Sequence, residues 1–403
     1  MDVRSRVSPE PPLLREPVSG LEVSVVIPCL DEADTIGVCV EKAVRTLCEH
    51  GIAGEVIVAD NGSRDGSIEI AERAGARVVH ARERGYGAAL MHGLAAARGR
   101  YAIMGDADDS YDFEALPAFV ARLREGYELV QGCRLPAGGG RVLPGAMPFL
   151  HRWLGNPLLS YLAQRMFRAP VRDVYCGYRG FTLELYRRLE QRCTGMEFAT
   201  EMIVKSTLLG VRTSEVPITL HPDGRRAHGS HLRTFRDGWR TLRFFLLYSP
   251  RWLYFLPGWL LICAGLAGYA LALPGATIAG ATLDAHTLLF SSLFVVLGYQ
   301  AVLFSVMTKV FAVGERLLPW DPRLDLFFEV FTLETGLVAG LAAFLGGAAL
   351  LALSVHQWWS AGFGALDYAR TMRWVIPGTT LVALGFQTIL SSFFISMLGM
   401  KRK

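Results

Sequence analysis

Seven cysteines in 403 residues, none in C-x-x-C spacing, leave no zinc-knuckle pattern and no disulfide framework. With a cytoplasmic soluble part, free thiols are expected. Charge is also scarce: Asp, Glu, Lys and Arg make up 19% of the chain. What charge there is lies mostly before residue 250, and long runs beyond it are nearly uncharged. The first twenty residues lack the apolar core of a cleavable signal peptide and contain proline and arginine, so 1–20 reads as a flexible tail. A net charge of +4 is modest, and no nucleic-acid motif accompanies it. The clustered arginines before the apolar region suit anionic headgroups or phosphates instead.

The chain is rich in apolar residues, 51% of the total with a mean hydropathy of +0.30. That is too apolar for an ordinary soluble protein and too polar for a pure membrane bundle. Four stretches, at about 253–273, 287–313, 335–355 and 374–398, reach the roughly 20 apolar residues that cross a bilayer. Trp252, Tyr254, Trp358, Trp359 and Trp374 lie near their ends, as interfacial aromatics do. Arg225, Arg226, Arg233, Arg236, Arg240, Arg243 and Arg251 precede the first span, and Lys401-Arg402-Lys403 follows the last. An even number of spans puts both flanks on one side, and the positive-inside rule makes that side cytoplasmic. The expected organisation is the tail 1–20, a soluble domain over 21–250 and a membrane domain over 251–403.

Within 21–250, short β-branched runs alternate with helical stretches. Val23 to Ile27 and Glu55 to Ala59 read as buried strands, the second ending in Asp60-Asn61-Gly62-Ser63. A third run covers 77–80, and Tyr101-Ala102-Ile103-Met104 leads into Asp106-Ala107-Asp108. Strand–helix alternation predicts a parallel α/β sheet, whose ligands bind at the carboxyl ends of the strands. The segments 28–32, 60–63, 85–87 and 106–108 all fall at such ends. Two unpaired carboxylates there repel each other and cost desolvation energy. A divalent cation bridged to a diphosphate removes that cost, since hard oxygen ligands and substrate phosphates suit Mg²⁺ or Mn²⁺. Gly85-x-Gly87 lacks the third glycine of a dinucleotide fingerprint and does not follow the first strand. Its glycines are expected to let helix-start N–H groups approach a phosphate.

With these residues in place, the chain resembles family 2 glycosyltransferases of the GT-A fold, and within them polyprenyl-phosphate sugar synthases. The resemblance rests on VSVVIPCLDE (23–32), VIVADNGSRDGS (56–67), RGYGAAL (84–90), GDADDSYD (105–112), VQGCR (130–134), DVYCGYRGF (173–181), EVPI (215–218) and RRAHGSHL (225–232). That order is far more specific than any one segment. It covers about 21–250; the four-span tail matches only in kind.

The resemblance implies a Rossmann-like, mostly parallel GT-A domain on the cytoplasmic side, followed by four transmembrane helices in the cell membrane. It implies an inverting transfer from a nucleotide-sugar, UDP-glucose or GDP-mannose, to a polyprenyl phosphate such as undecaprenyl or dolichyl phosphate. Pro28, Leu30, Glu32 and Asp60 would hold the nucleoside, with Gly85 and Gly87 beside it. Asp106 would sit near ribose and metal, with Asp108 as the direct ligand of Mg²⁺ or Mn²⁺. Ser110 stands where these synthases often carry a glutamine. Arg134 and Arg152 would bind the acceptor phosphate, and Arg179 would serve the same anionic centre or hold structure. Arg226 and His231 would close over the donor diphosphate, His231 replacing the usual lysine and making that charge pH-dependent. Glu201 reads either as a base or as a helix-start carboxylate favoured by the dipole. The segment 142–167, amphipathic and basic, reads either as a membrane-surface helix or as a core-facing one.

Other readings stay open. One is a transferase acting on another lipid-linked or polysaccharide acceptor, although Phe149 stands where the Q-x-x-R-W of processive synthases needs glutamine. Another is a non-catalytic scaffold or transporter, for which Gln300, Lys309 and Gln387 are few polar groups. A homo-oligomer is compatible with the sequence and not specified by it.

Overall fold

The computed structural model describes residues 20–225, 234–278, 280–315 and 317–400. Contacts divide the chain into two compact units, with the boundary after Phe245.

The first unit is built on β1 (Val23–Cys29), whose seven positions are all buried. A strand covered on both faces needs no polar alternation, and this one has none. Pro28 lies beyond Val26, the last β1 residue that pairs with β4 (Tyr101–Met104), so it interrupts no bond on that side. Helix α1 (Ile36–Glu49) buries Ile36, Cys39, Val40, Ala43 and Leu47, a stripe at helical spacing. Then come β2 (Gly54–Asp60), α2 (Ser67–Arg73), β3 (Arg77–His80) and α3 (Tyr86–Ala96) before β4. After β4 follow α4 (Leu116–Arg124), β5 (Leu129–Cys133), β6 (Arg141–Val142), α5 (Asn156–Phe167), β7 (Arg179–Thr182), α6 (Leu183–Leu189), α7 (Glu197–Leu208), β8 (Thr213–Pro217) and β9 (Thr219–Leu220).

The main sheet runs β3-β2-β1-β4-β7-β5-β8, parallel except for β7, which is antiparallel to both neighbours. This is the mostly parallel, Rossmann-like sheet of a GT-A domain. Sequence patterning does not find β7. Its four residues begin with arginine and glycine, and a charged residue with no exposed surface contradicts the rule by which buried strands are recognised.

Helix α8 (Thr234–Leu247) carries the chain across that boundary, and the second unit then holds α9 (Leu256–Ala272), the hairpin β10 (Thr277–Ile278) and β11 (Ala281–Thr282), α10 (Ala285–Gly314), α11 (Pro322–Val330), α12 (Leu333–Ser360) and α13 (Tyr368–Gly399). Four helical segments, Arg251–Ala272, Ala285–Gly314, Leu333–Ser360 and Tyr368–Gly399, are long and apolar enough to cross a membrane. Each keeps within a few residues of the stretch expected for it. Much of their surface is apolar and faces outward, Leu260 and Val338 being about 70% and 69% exposed. That is the inverse of a water-soluble bundle and suits a bilayer as solvent.

With lipid as solvent, burial of apolar surface no longer drives helix association, so close packing and hydrogen bonds carry it. A Cβ on Gly258 of α9 would lie 2.8 Å from the Gly298 oxygen of α10, and one on Gly385 of α13 would lie 2.5 Å from the Gly340 oxygen of α12. Tyr269, Ser292 and Thr380 share hydroxyl hydrogen bonds of 2.5–3.0 Å that tie α9, α10 and α13 together. Lys309 of α10 is ion-paired with Asp321, which caps α11, and so is not an unpaired charge within a transport route.

Candidate active site

Strand register fixes where the chemistry gathers. Cys29 pairs with Asp60 and Asp60 with His80, while Val26 of β1 pairs with Met104 of β4. The carboxyl ends of β1, β2, β3 and β4 therefore lie along one edge. Hydrogen bonds stitch the loops there together. Asp31 donates its N–H to Ser63 Oγ at 3.0 Å, Glu32 to Ser67 Oγ at 2.8 Å, and Gly85 to Asn61 Oδ1 at 2.7 Å. Asp31 and Asp109 both take left-handed backbone with φ 57°, a strained choice for non-glycine residues that clusters at binding loops.

Asp60 ends β2 as a preorganised acceptor. It receives the N–H groups of Gly62 and Ser63, each at 3.0 Å, and His80 Nδ1 lies at 3.3 Å. Burial raises its carboxyl, but these bonds from Ser63, Gly62 and His80 outweigh it and hold the group below its ordinary value. Pro28 is buried in β1, and Leu30, 39% exposed, forms a lip just beyond it.

The two carboxylates after β4 differ in surroundings. Asp106 accepts from the Tyr86 hydroxyl at 2.8 Å. Burial and then the neighbouring Asp108 charge push it up to about 6, against the pull of Tyr86, Arg225 and Arg134. The Tyr86 hydroxyl is itself driven upward, by burial and then by Asp106, so it stays a donor. Asp108 is more open. One of its oxygens accepts the Ser110 N–H at 3.1 Å and the other lies 3.4 Å from Arg225 Nη1. Among the described residues, no group of three or more His, Cys, Asp or Glu side chains is gathered to hold a metal. The pair still fits a divalent cation. It offers hard oxygens carrying more negative charge than their surroundings neutralise, and diphosphate and water would complete the shell.

Arg225 brings a cation to this edge. It grips Glu32 through Nε–Oε2 at 2.7 Å and Nη2–Oε1 at 2.6 Å, and Nη1 reaches Asp223 at 2.8 Å. Burial works against its charge, yet Glu32, Asp108 and Asp223 outweigh that and raise it above its ordinary value. Arg226 and His231 lie outside the described residues.

Gly85 and Gly87 lie tightly against another part of the first unit. A Cβ on Gly85 would lie 2.3 Å from Thr194 O, and one on Gly87 would lie 2.4 Å from Cys193 O. The helix-start N–H of Ala88 is taken by Thr194 O at 3.0 Å. These glycines admit the protein's own 193–195 backbone, and one of the helix-start N–H groups, that of Ala88, is already used. Gly87→Ala should therefore cost about 1–3 kcal/mol through overpacking against a carbonyl. A lowered melting temperature with nucleotide binding retained in the folded fraction is the expected result; an unchanged melt would contradict it.

The arginines separate into three cases. Arg134 forms a bidentate pair with Asp173, Nε–Oδ2 and Nη2–Oδ1 both 2.8 Å, while its N–H donates to Oδ2 at 3.0 Å. Arg179 has no exposed surface and donates to the Ala199 and Cys176 oxygens, each at 2.6 Å. This guanidinium holds the 174–176 and 199 backbone, the structural one of the two roles expected for it, while its Nε has no hydrogen-bond partner among the described residues. Burial lowers its pKa. Arg152 sits in a π-helical turn, His151–Gly155, with its guanidinium carbon 5.4 Å from the Trp153 ring centroid. Glu201, also sealed, pairs with Lys205 at 2.7 Å and accepts the N–H groups of Arg192 and Cys193. Its place is structural, though as a buried ion pair within α7 rather than as a helix-start carboxylate, since the helix begins at Glu197.

Residues 24–189 match Glycosyl transferase family 2, and residues 306–399 match the Glycosyltransferase family 2 C-terminal transmembrane region. The chain is 36% identical over 378 residues to the low-salt glycan biosynthesis hexosyltransferase Agl6 of Haloferax volcanii, covering 94% of this chain and 89% of that one. The chain belongs to glycosyltransferase family 2. A dolichyl-phosphate hexose transferase of the same organism is 34% identical over 218 residues, 54% of this chain and 89% of that one. Among solved structures, glucosyl-3-phosphoglycerate synthase of Mycobacterium tuberculosis, with Mg²⁺ and uridine diphosphate, has a TM-score of 0.44 at 25% identity. That likeness covers 56% of this chain and 79% of the synthase.

This family 2 glycosyltransferase also uses residues that spacing alone did not single out. Asn61 ties two loops by accepting from Gly85 and donating to Glu83 O at 2.6 Å. Tyr86 and Asp173 set the neighbours of Asp106 and Arg134. Asn61 lay within a quoted motif and was readable as a turn residue. Asp173 opens another such motif, but nothing in sequence pairs it with Arg134.

Proposed function

We propose that this membrane glycosyltransferase transfers a hexose from a nucleoside-diphosphate sugar, UDP-glucose or GDP-mannose, to a polyprenyl phosphate at the cytoplasmic face, with inversion and with Mg²⁺ or Mn²⁺. The observation that carries the reading is the row of carboxylates, Glu32, Asp60, Asp106 and Asp108, at the aligned ends of adjacent parallel strands. Nucleotide ligands bind at such ends. The name of the dolichyl-phosphate hexose transferase supports a lipid phosphate as acceptor.

Asp60 and Glu32 would accept from base N–H groups or ribose hydroxyls. Asp106 and Asp108 would hold the cation, which supplies charge neutralisation for the leaving diphosphate. Arg134, oriented by Asp173, and Arg152 would align the acceptor phosphate for in-line attack on the anomeric carbon. That phosphate is already anionic at neutral pH, so no general base is required, consistent with Glu201 being sealed inside.

The helical segment around α5 supports delivery from a membrane surface. Phe149, Trp153, Leu154, Leu158 and Tyr161 are exposed, whereas Ser160, Ala163 and Phe167 face inward. An apolar outer face with arginines beside it suits the headgroup boundary. The glycan-biosynthesis name of the full-length relative favours a second reading, in which the acceptor is a lipid-linked sugar.

The test is sugar transfer into the organic phase. Full-length protein, labelled UDP- and GDP-sugars and Mn²⁺, Mg²⁺ or EDTA would be combined with undecaprenyl phosphate, dolichyl phosphate or a lipid-linked monosaccharide. Metal-dependent labelling of a bare polyprenyl phosphate by one donor is expected. Labelling of the lipid-linked sugar alone would move the acceptor to the second reading, and no labelled lipid at all would defeat both.

A further inference from the structure

Arg225 makes an unusual set of contacts for a surface-loop arginine. One guanidinium faces three carboxylates, Glu32 at 2.6 Å, Asp223 at 2.8 Å and Asp108 at 3.4 Å. Its side chain is 11% exposed and that of Glu32 5%, so the pair is held largely away from water. The partners come from opposite ends of the first unit, Glu32 and Arg225 being 193 positions apart. Glu32 follows β1 and Asp108 follows β4, and neither needs an arginine from the 221–225 loop to complete its strand. The contact therefore joins two carboxylates at the donor-binding edge.

We propose that Arg225 competes with the donor for its own site: its guanidinium occupies the carboxylates that the nucleoside and the divalent cation would use, and donor binding must displace it. The proposal rests on the nucleotide–metal reading above. A divalent cation on Asp108 would lie close to the Arg225 charge. At such distances in a partly dry site, like charges repel, so the two do not share Asp108 comfortably. A nucleoside on Glu32 meets the other end of the same guanidinium. Each half of the donor thus removes one anchor, and nucleotide and metal together displace Arg225 more readily than either alone. By linkage, each then tightens the other's binding beyond what their direct contact gives. Metal without nucleotide is expected to bind weakly, which would limit capture of free cations at a crevice that works on a metal–diphosphate.

The test is a Mn²⁺ titration followed by electron paramagnetic resonance, using full-length detergent-solubilised protein with and without UDP. R225A and R225Q are compared with the unsubstituted chain. R225A leaves buried Glu32 without a counterion, so R225Q, whose amide can still donate to Glu32, carries the same test in a chain expected to fold. Without UDP, both variants should bind Mn²⁺ about tenfold more tightly, the direction set by removing a nearby like charge. Saturating UDP should narrow the difference, and R225K should stay close to the unsubstituted protein. Equal or weaker Mn²⁺ binding by R225Q overturns the competition. Weaker UDP binding in the presence of Mn²⁺ also overturns it, since Arg225 would then be a diphosphate ligand. If the unsubstituted chain binds no Mn²⁺ even with UDP, the donor-site reading itself fails; binding that is identical in all variants removes only the competition.

Discussion

Asp108→Asn should reduce sugar transfer by about a thousandfold or more while leaving the protein folded. The substitution keeps the shape and an amide oxygen that can still accept the Ser110 N–H, now 3.1 Å from Asp108. It removes the charge that a cation would need, and loss of one preorganised electrostatic contact to developing charge costs roughly 10²–10³ in rate. Loss of the metal that such a contact holds should cost more. Relief of the repulsion on Asp106 and loss of the long contact to Arg225 act in opposite directions on stability. The melting temperature should therefore move by only a few degrees. Mn²⁺-dependent UDP binding, followed by calorimetry, should disappear along with transfer. A folded Asp108→Asn variant that still transfers sugar at a tenth of the normal rate would remove Asp108 from the metal site.

Much of this arrangement was readable in one dimension. The apolar runs of β1, β2 and β4 are unbroken because both faces are covered, and that pattern survives in sequence. So do Asp60, Asp106 and Asp108, since a carboxylate stands out at the end of such a run. The four spans are legible for the same reason, with apolar length as the signal. Residues whose meaning depends on a distant partner were harder to read. Arg225 reads only as a flanking positive charge and as the opening of a quoted motif, because nothing in spacing shows Glu32 as its partner. Arg179 reads either as an anion ligand or as a structural residue, because its motif does not show that carbonyls surround it. Gly85 and Gly87 advertise close approach without saying to what, and the oxygens of Thr194 and Cys193 are the nearest neighbours of their faces. In each case the packing supplies a partner that residue type and spacing do not show.

The same distinction gives the second large prediction. Arg134→Ala should lower stability by about 3–5 kcal/mol, because it leaves a charged Asp173 with no accessible surface and no counterion. For a domain of this size that corresponds to a melting temperature lower by on the order of 10 °C. Burial opposes the Arg134 charge, but Asp173 more than compensates and holds its pKa well above the ordinary value, so the pair is a strongly coupled unit. Replacing both members, Arg134→Met with Asp173→Leu, should recover most of the lost stability, since no buried charge is then stranded. If Arg134 meets the acceptor phosphate, the recovered double variant should still fail to label lipid while binding UDP and Mn²⁺ normally. That combination separates the two tasks of one guanidinium, holding the 173 loop and meeting substrate. Additive destabilisation in the double variant would show that the pair is not coupled. Normal lipid labelling by a stable double variant would leave Arg134 as a structural residue and pass the acceptor role to Arg152, which a Trp153 contact holds on the exposed apolar segment.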